Sequence, residues 1–166
     1  MISKQQFLDD VANEVRICKH LFTKLPPGSL DFRLGETMRT TLELLRYLSH
    51  CASTHVYNAI HNDWANVHLR NEAAAQMTAE EFPQRMDAQL EEIRRELAGI
   101  SEEEIRTRII QLPWGGETTF GSVLVQIAAK FLAAYRLQLF LHAKAAGASE
   151  LNTYNCWMGV DPPVKA

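Results

Sequence analysis

The chain has 166 residues, with 17 Lys and Arg against 20 Asp and Glu and a formal net charge of −3 at pH 7. That length suits a single domain spanning 1–166, able to remove roughly 70% of its unfolded-chain surface from water, and the absence of a basic stripe argues against nucleic acid as a partner. Three cysteines (Cys18, Cys51, Cys156) lie far apart with no CxxC pair, which predicts a reducing, cytoplasmic setting instead of a disulfide framework. No basic segment leads into an apolar run at the N-terminus, so no signal peptide is expected. No run approaches the 18 or so apolar residues of a membrane span, so no membrane association is expected.

Helix 1 starts at Ser3, with Gln6 three residues on, and carries Leu8, Val11, Val15, Cys18 and Phe22 at 3-4 spacing, which is a bundle stripe. Pro26-Pro27-Gly28 ends it. His20 lies off the stripe and reads as solvated. Thr40 and Glu43 form the capping box of helix 2, whose apolar face is Leu44, Leu48, Cys51, Ala52, Val56 and Ala59. Tyr47 sits at the edge of that face, suited to a groove between helices. His55 lies near its middle and His50 further out. Residues 61–77 break the periodicity and form a long crossover. Thr78 and Glu81 open helix 3, with Pro83 in its first turn and the stripe Phe82, Met86, Leu90, Ile93, Leu97. Ser101 and Glu104 cap a short accessory helix. Residues 112–116 are a breaker cluster.

The longest helical pattern follows, at 119–147, and the chain is organised around it. One face takes in Leu124, Ile127, Ala128, Phe131, Ala134, Tyr135, Gln138, His142 and Ala145. Ala129, Ala133, Leu137 and Phe140 form a second apolar stripe, beside Lys130, Arg136 and Lys144. A helix apolar most of the way round is buried on more than one side. The aromatic tail 151–163 has no period and reads as a segment pinned against the bundle.

Residues 131–138 read Phe-Leu-Ala-Ala-Tyr-Arg-Leu-Gln, and this stretch resembles the last helix of the DinB/YfiT-like superfamily, which ends in H-x-x-x-H-R-x-Q. Residues 39–48, from Arg39 through Tyr47 to Leu48, are similar to the family's helix 2 motif R-S-x-x-E-L-x-x-H-L. Leu30-Asp31-Phe32 resembles its L-D-W-type entry to that helix. The resemblance covers roughly 5–163. It implies an all-α fold, a four-helix bundle with a long helix 2–helix 3 crossover and short accessory helices. It also implies a divalent metal held by three histidines and a tendency to dimerise. Arg136 and Gln138 match the pattern, whereas the three histidine positions read Tyr47, Phe131 and Tyr135.

Phenyl has no lone pair, and a phenol with a pKa near 10 is a poor ligand at pH 7. The expected metal and cofactor content is therefore none. Two readings of these positions remain: Tyr47, Phe131 and Tyr135, with Gln138 and His50 beside them, line a cleft for a small organic ligand, or the rings fill the site as core. The alternative that the resemblance implies for the whole chain is a metal-dependent hydrolase or thiol-dependent transferase of the DinB/YfiT type, its metal held by other ligands. Gln138, one turn from Tyr135, is the candidate hydrogen-bond partner for its phenol. Cys51 and His55 share a helix face, but a catalytic thiolate needs an electropositive, partly exposed setting that this stripe does not offer. The second stripe of the last helix either packs against the same stripe of a second copy or is covered by the aromatic tail; the family's tendency to dimerise makes a homodimer through this helix the expectation.

Overall fold

The computed structural model describes residues 2–163. Helix α1 (Lys4–Phe22) begins where its capping box requires: the Ser3 hydroxyl accepts from Gln6 N, and the Gln6 side chain accepts from Ser3 N. A 3-10 turn (Ser29–Asp31) leads to α2 (Thr41–Leu48) and α3 (Cys51–His61), which together make the second member of the bundle. The crossover contains α4 (Asn66–Ala74), none of whose residues is buried. A 3-10 turn (Ala79–Glu81) then enters α5 (Phe82–Leu97), with Pro83 in the first turn, where its missing N–H costs nothing. After α6 (Glu102–Thr107), a short hairpin pairs β1 (Ile109–Gln111) with β2 (Glu117–Thr119) in antiparallel register, Ile110 opposite Thr118. The last member is α7 (Phe120–Val123), a π-helical stretch (Leu124–Ala129) and α8 (Lys130–Ala145). The boxes expected at Thr40/Glu43, Thr78/Glu81 and Ser101/Glu104 all form.

α1 packs on α5 and α8, while α3 packs on α5 and the π-helical stretch, so the four members close into a ring. Phe7, Val11, Leu44, Leu48, Phe82, Met86, Ile93, Leu124 and Leu132 are buried at its centre. The fold is all-α, as the sequence predicts, with the hairpin as a minor addition.

Two members are irregular, and both irregularities matter for the site. The second breaks between Leu48 and Cys51. The hydroxyls of Ser49, Ser53 and Thr54 bond back to the carbonyls of Arg46 and His50, in the way short hydroxylated side chains compete with a helical ladder. Buried Gln89 of α5 then satisfies the freed backbone groups: its Oε1 accepts from Ala52 N at 2.9 Å and Ser53 N at 3.3 Å, and its Nε2 donates to Leu48 O at 3.0 Å.

The last member carries one extra residue per turn in its π-helical stretch. Within it the buried positions are those the 3.6-residue period predicts, Leu124, Ile127 and Ala128. Beyond it the buried positions are Leu132, Arg136, Leu139 and Ala143, each one residue later than predicted, together with His142, which was predicted. The expected face therefore divides: Ala134 and Ala145 are exposed, Phe131, Tyr135 and Gln138 are half-buried at its edge, and His142 alone of that set is fully buried.

Arg136 is not a surface charge. It is 2% exposed, forks onto Glu14 at 2.8 and 3.2 Å, and donates to Cys156 O at 2.8 Å. That last bond anchors the tail, whose Trp157 ring lies 4.7 Å from the guanidinium. Arg16 adds bonds to the carbonyls of Met158 and Gly159. Gly159 has φ +58°, and a Cβ there would meet Arg16 Nη1 at 2.9 Å, so the position needs glycine. His20 is also drawn in, with Nε2 3.1 Å from Asn155 Nδ2, instead of standing free in solvent. The segment Phe120–Ala145 is long and apolar enough, by length and composition, to cross a membrane. This corrects the expectation that no segment reaches that threshold: Gln126, Lys130, Arg136 and Gln138 are too widely spaced to offset the Ala, Leu and Phe between them. Its buried residues pack on α1, α2 and α3.

Candidate functional site

The break in the second member and the bulge in the last bring their aromatic residues face to face. The Tyr47 and Tyr135 rings are 4.6 Å apart between centroids at 64°, an edge-on pair. Phe131, one turn before Tyr135, has its centroid 6.1 Å from it. His55 meets the Phe131 ring at 4.7 Å and 65°, and His50 meets Tyr47 at 5.7 Å and 74°. Tyr47, Phe131, Tyr135 and His50 thus share one continuous cluster, as the sequence predicts. Gln138 lies a turn further along α8, and among the described residues no hydrogen bond joins it to Tyr135.

The two histidines are neutral. Burial, followed by the nearby Arg70 guanidinium, lowers the His50 pKa to about 4, and burial alone lowers His55 to about 4. The tautomer of His50 follows from its neighbour. Thr54 Oγ1 donates its proton to His50 O at 2.8 Å, so at 3.0 Å from His50 Nδ1 it must accept. Nδ1 therefore carries the hydrogen, and Nε2 presents a lone pair. Among the described residues that buried nitrogen has no partner, nor does Nδ1 of His55. His50 lines two adjoining cavities: one of about 450 Å³ toward Arg70, Gln89 and Glu92, and one of about 300 Å³ toward Arg39, Arg46 and Tyr47.

Cys51 has no catalytic setting. Burial pushes its thiol up to about 12, and its Sγ lies 3.8 Å from Leu48 O. Cys18, Cys51 and Cys156 are all buried free thiols.

No family model matches the chain, and no curated protein matches it. Among solved structures, a DinB-like protein (YjoA) from Bacillus subtilis superposes with a TM-score of 0.66 at 16% identity, over 90% of this chain and 97% of that one. The chain has the DinB-like fold. At that identity the likeness concerns backbone architecture, and the chemistry must come from this chain's own residues.

The resemblance read in the sequence would give a metal residues 47, 131 and 135 as ligands, and the side chains found there do not fit one. Phe131 offers no donor atom. Burial raises the Tyr47 pKa above its ordinary value near 10, keeping the phenol protonated. Among the described residues no three His, Cys, Asp or Glu side chains come together in a set that could hold an ion.

Sequence reasoning missed several residues that shape the site. Arg39 caps the tyrosine pair, its guanidinium carbon 4.4 Å from the Tyr47 centroid and 5.4 Å from that of Tyr135. The resemblance marks it only as the first residue of the helix 2 motif, because it precedes the Thr40 cap and meets Tyr135 only through the fold. His55 reads as a core histidine and proves to be a wall of the aromatic cluster. Gln89 sits on a helix face that periodicity assigns to packing.

Proposed function

We propose that this protein is a metal-free, homodimeric binding protein of DinB-like fold whose aromatic-lined cleft takes a small organic ligand. One observation carries the reading: two buried imidazole nitrogens, His50 Nε2 and His55 Nδ1, lack partners beside three aromatic rings. An unpartnered buried polar atom costs about 1–3 kcal/mol, and two of them fall on this one aromatic cluster. Apolar walls with a few convergent polar atoms are what a small-molecule site is made of.

The dimer draws support from α8. Ala134, Leu137, Leu141 and Ala145 form an exposed apolar stripe at 3-4-4 spacing, with Leu137 40% and Leu141 43% exposed. Leu137 belongs to the stripe predicted for dimerisation. The other members of that stripe, Ala129, Ala133 and Phe140, are half-buried. The register shift therefore moves the proposed interface one position along the helix. A cytoplasmic setting remains part of the proposal and agrees with the three free thiols.

Elemental analysis of the purified protein after dialysis tests the metal-free reading. Substoichiometric zinc, nickel and manganese are expected. A full equivalent of any of them favours instead a metal-dependent hydrolase or thiol-dependent transferase of the DinB/YfiT type. Light scattering on a size-exclusion column tests the dimer, and a mass near 18.8 kDa rules it out.

A further inference from the structure

The smaller cavity beside His50, about 300 Å³, is lined by Arg39, Glu43, Arg46, Tyr47, His50 and Asn71 among others. Its charges are unequal in kind as well as in number. Glu43 is already engaged: it accepts from Thr40 N at 2.7 Å and pairs with Arg33 at 3.4 Å. The two arginines are not engaged in the same way. Arg70, Arg85, Arg94 and Arg136 each pair with a carboxylate, whereas Arg39 and Arg46 have none among the described residues. Arg46 is fixed by its Nε, which donates to Met77 O at 2.9 Å, and among the described residues its two terminal nitrogens make no hydrogen bond. Arg39 is fixed differently, laid over the Tyr47 and Tyr135 rings. A guanidinium held on an aromatic face keeps its N–H edge free, and little conformational entropy remains to be lost when an anion arrives.

We propose that this cavity binds the anionic group of a small organic acid, a carboxylate or a phosphate, between Arg39 and Arg46, with the organic body against Tyr47 and His50. The inference rests on the ligand-binding reading above and adds to it the charge of the ligand. Two guanidinium forks match the planar oxygens of either anion. The compact cavity limits the ligand to a small molecule.

Three probes of similar shape separate the possibilities: benzoate, phenyl phosphate and the uncharged benzyl alcohol. Each is titrated into the intact chain while the ring resonances of Tyr47 and His50 are followed by NMR. The two anions are expected to shift these resonances saturably, more tightly than the alcohol, with affinity falling as salt is raised. The tighter of the two anions identifies the carboxylate or phosphate preference. Arg39→Gln and Arg46→Gln are each expected to weaken anion binding roughly fivefold while leaving the alcohol unchanged, since both arginines act from the cavity rim. If all three probes bind equally, or the Gln variants bind the anions as the parent does, the anion subsite is overturned and the aromatic cleft stands. If no probe shifts either ring, the cleft reading fails and the subsite with it.

Discussion

At the scale of single residues, the side chain that most changes the picture is Arg136. Sequence pattern placed it beside an apolar stripe; the fold buries it and pairs it with Glu14 on α1. A buried ion pair adds little net stability against a well-packed apolar pair, because both charges must first leave water. Removing one partner is another matter, since the remaining charge stays buried and uncompensated. Arg136→Met is therefore expected to cost about 3–5 kcal/mol, measured by urea denaturation, and it also releases Cys156 O and the Trp157 contact. The double variant Glu14→Leu/Arg136→Met should recover most of that loss. A double variant as unstable as the single one would show that the tail anchor, not the ion pair, is what Arg136 supplies.

At the scale of elements, what was legible in the sequence is what depends on neighbouring residues. Four capping boxes and the Pro83 entry to α5 are contests between adjacent groups, and each resolves where local chemistry places it, whereas α1 ends at Phe22, ahead of the Pro26-Pro27 pair expected to stop it. The juxtaposition of Tyr47 with Tyr135 was legible only through family resemblance. What could not be read was the geometry that one element imposes on another. The π-helical stretch shifts the buried face of α8 by one residue, and periodicity carried across it assigns Ala134 and Gln138 inward. Likewise the break after Leu48 is held from outside the helix by Gln89. Gln89→Leu removes the partner of two N–H groups and one carbonyl, and is expected to cost about 3 kcal/mol. A loss below about 1 kcal/mol would mean that the hydroxyls of Ser49, Ser53 and Thr54 hold the break without help.

At the scale of the whole molecule, the site's buried histidines couple function to acid stability. His50 and His55 titrate near pH 4 in the fold, against an ordinary value of 6.5. Between those limits the unfolded chain binds protons that the folded chain refuses, so unfolding free energy rises with pH across the window. The stability is fully present above about pH 6.5 and is lost as pH falls toward 4. Each imidazole contributes at most about 3 kcal/mol on this account. Burial lowers His20 and His142 in the same direction, and burial of Asp10, with the nearby Glu14 charge, raises its pKa and works against it near the acid end. The thermal midpoint of the parent should therefore fall steeply between about pH 6.5 and 4, while a His50→Gln/His55→Phe variant should be flatter over that interval. Parallel curves for the two proteins would place the acid sensitivity elsewhere, in His20 or His142 or in carboxylates held below their ordinary range, such as Glu92 and Asp161.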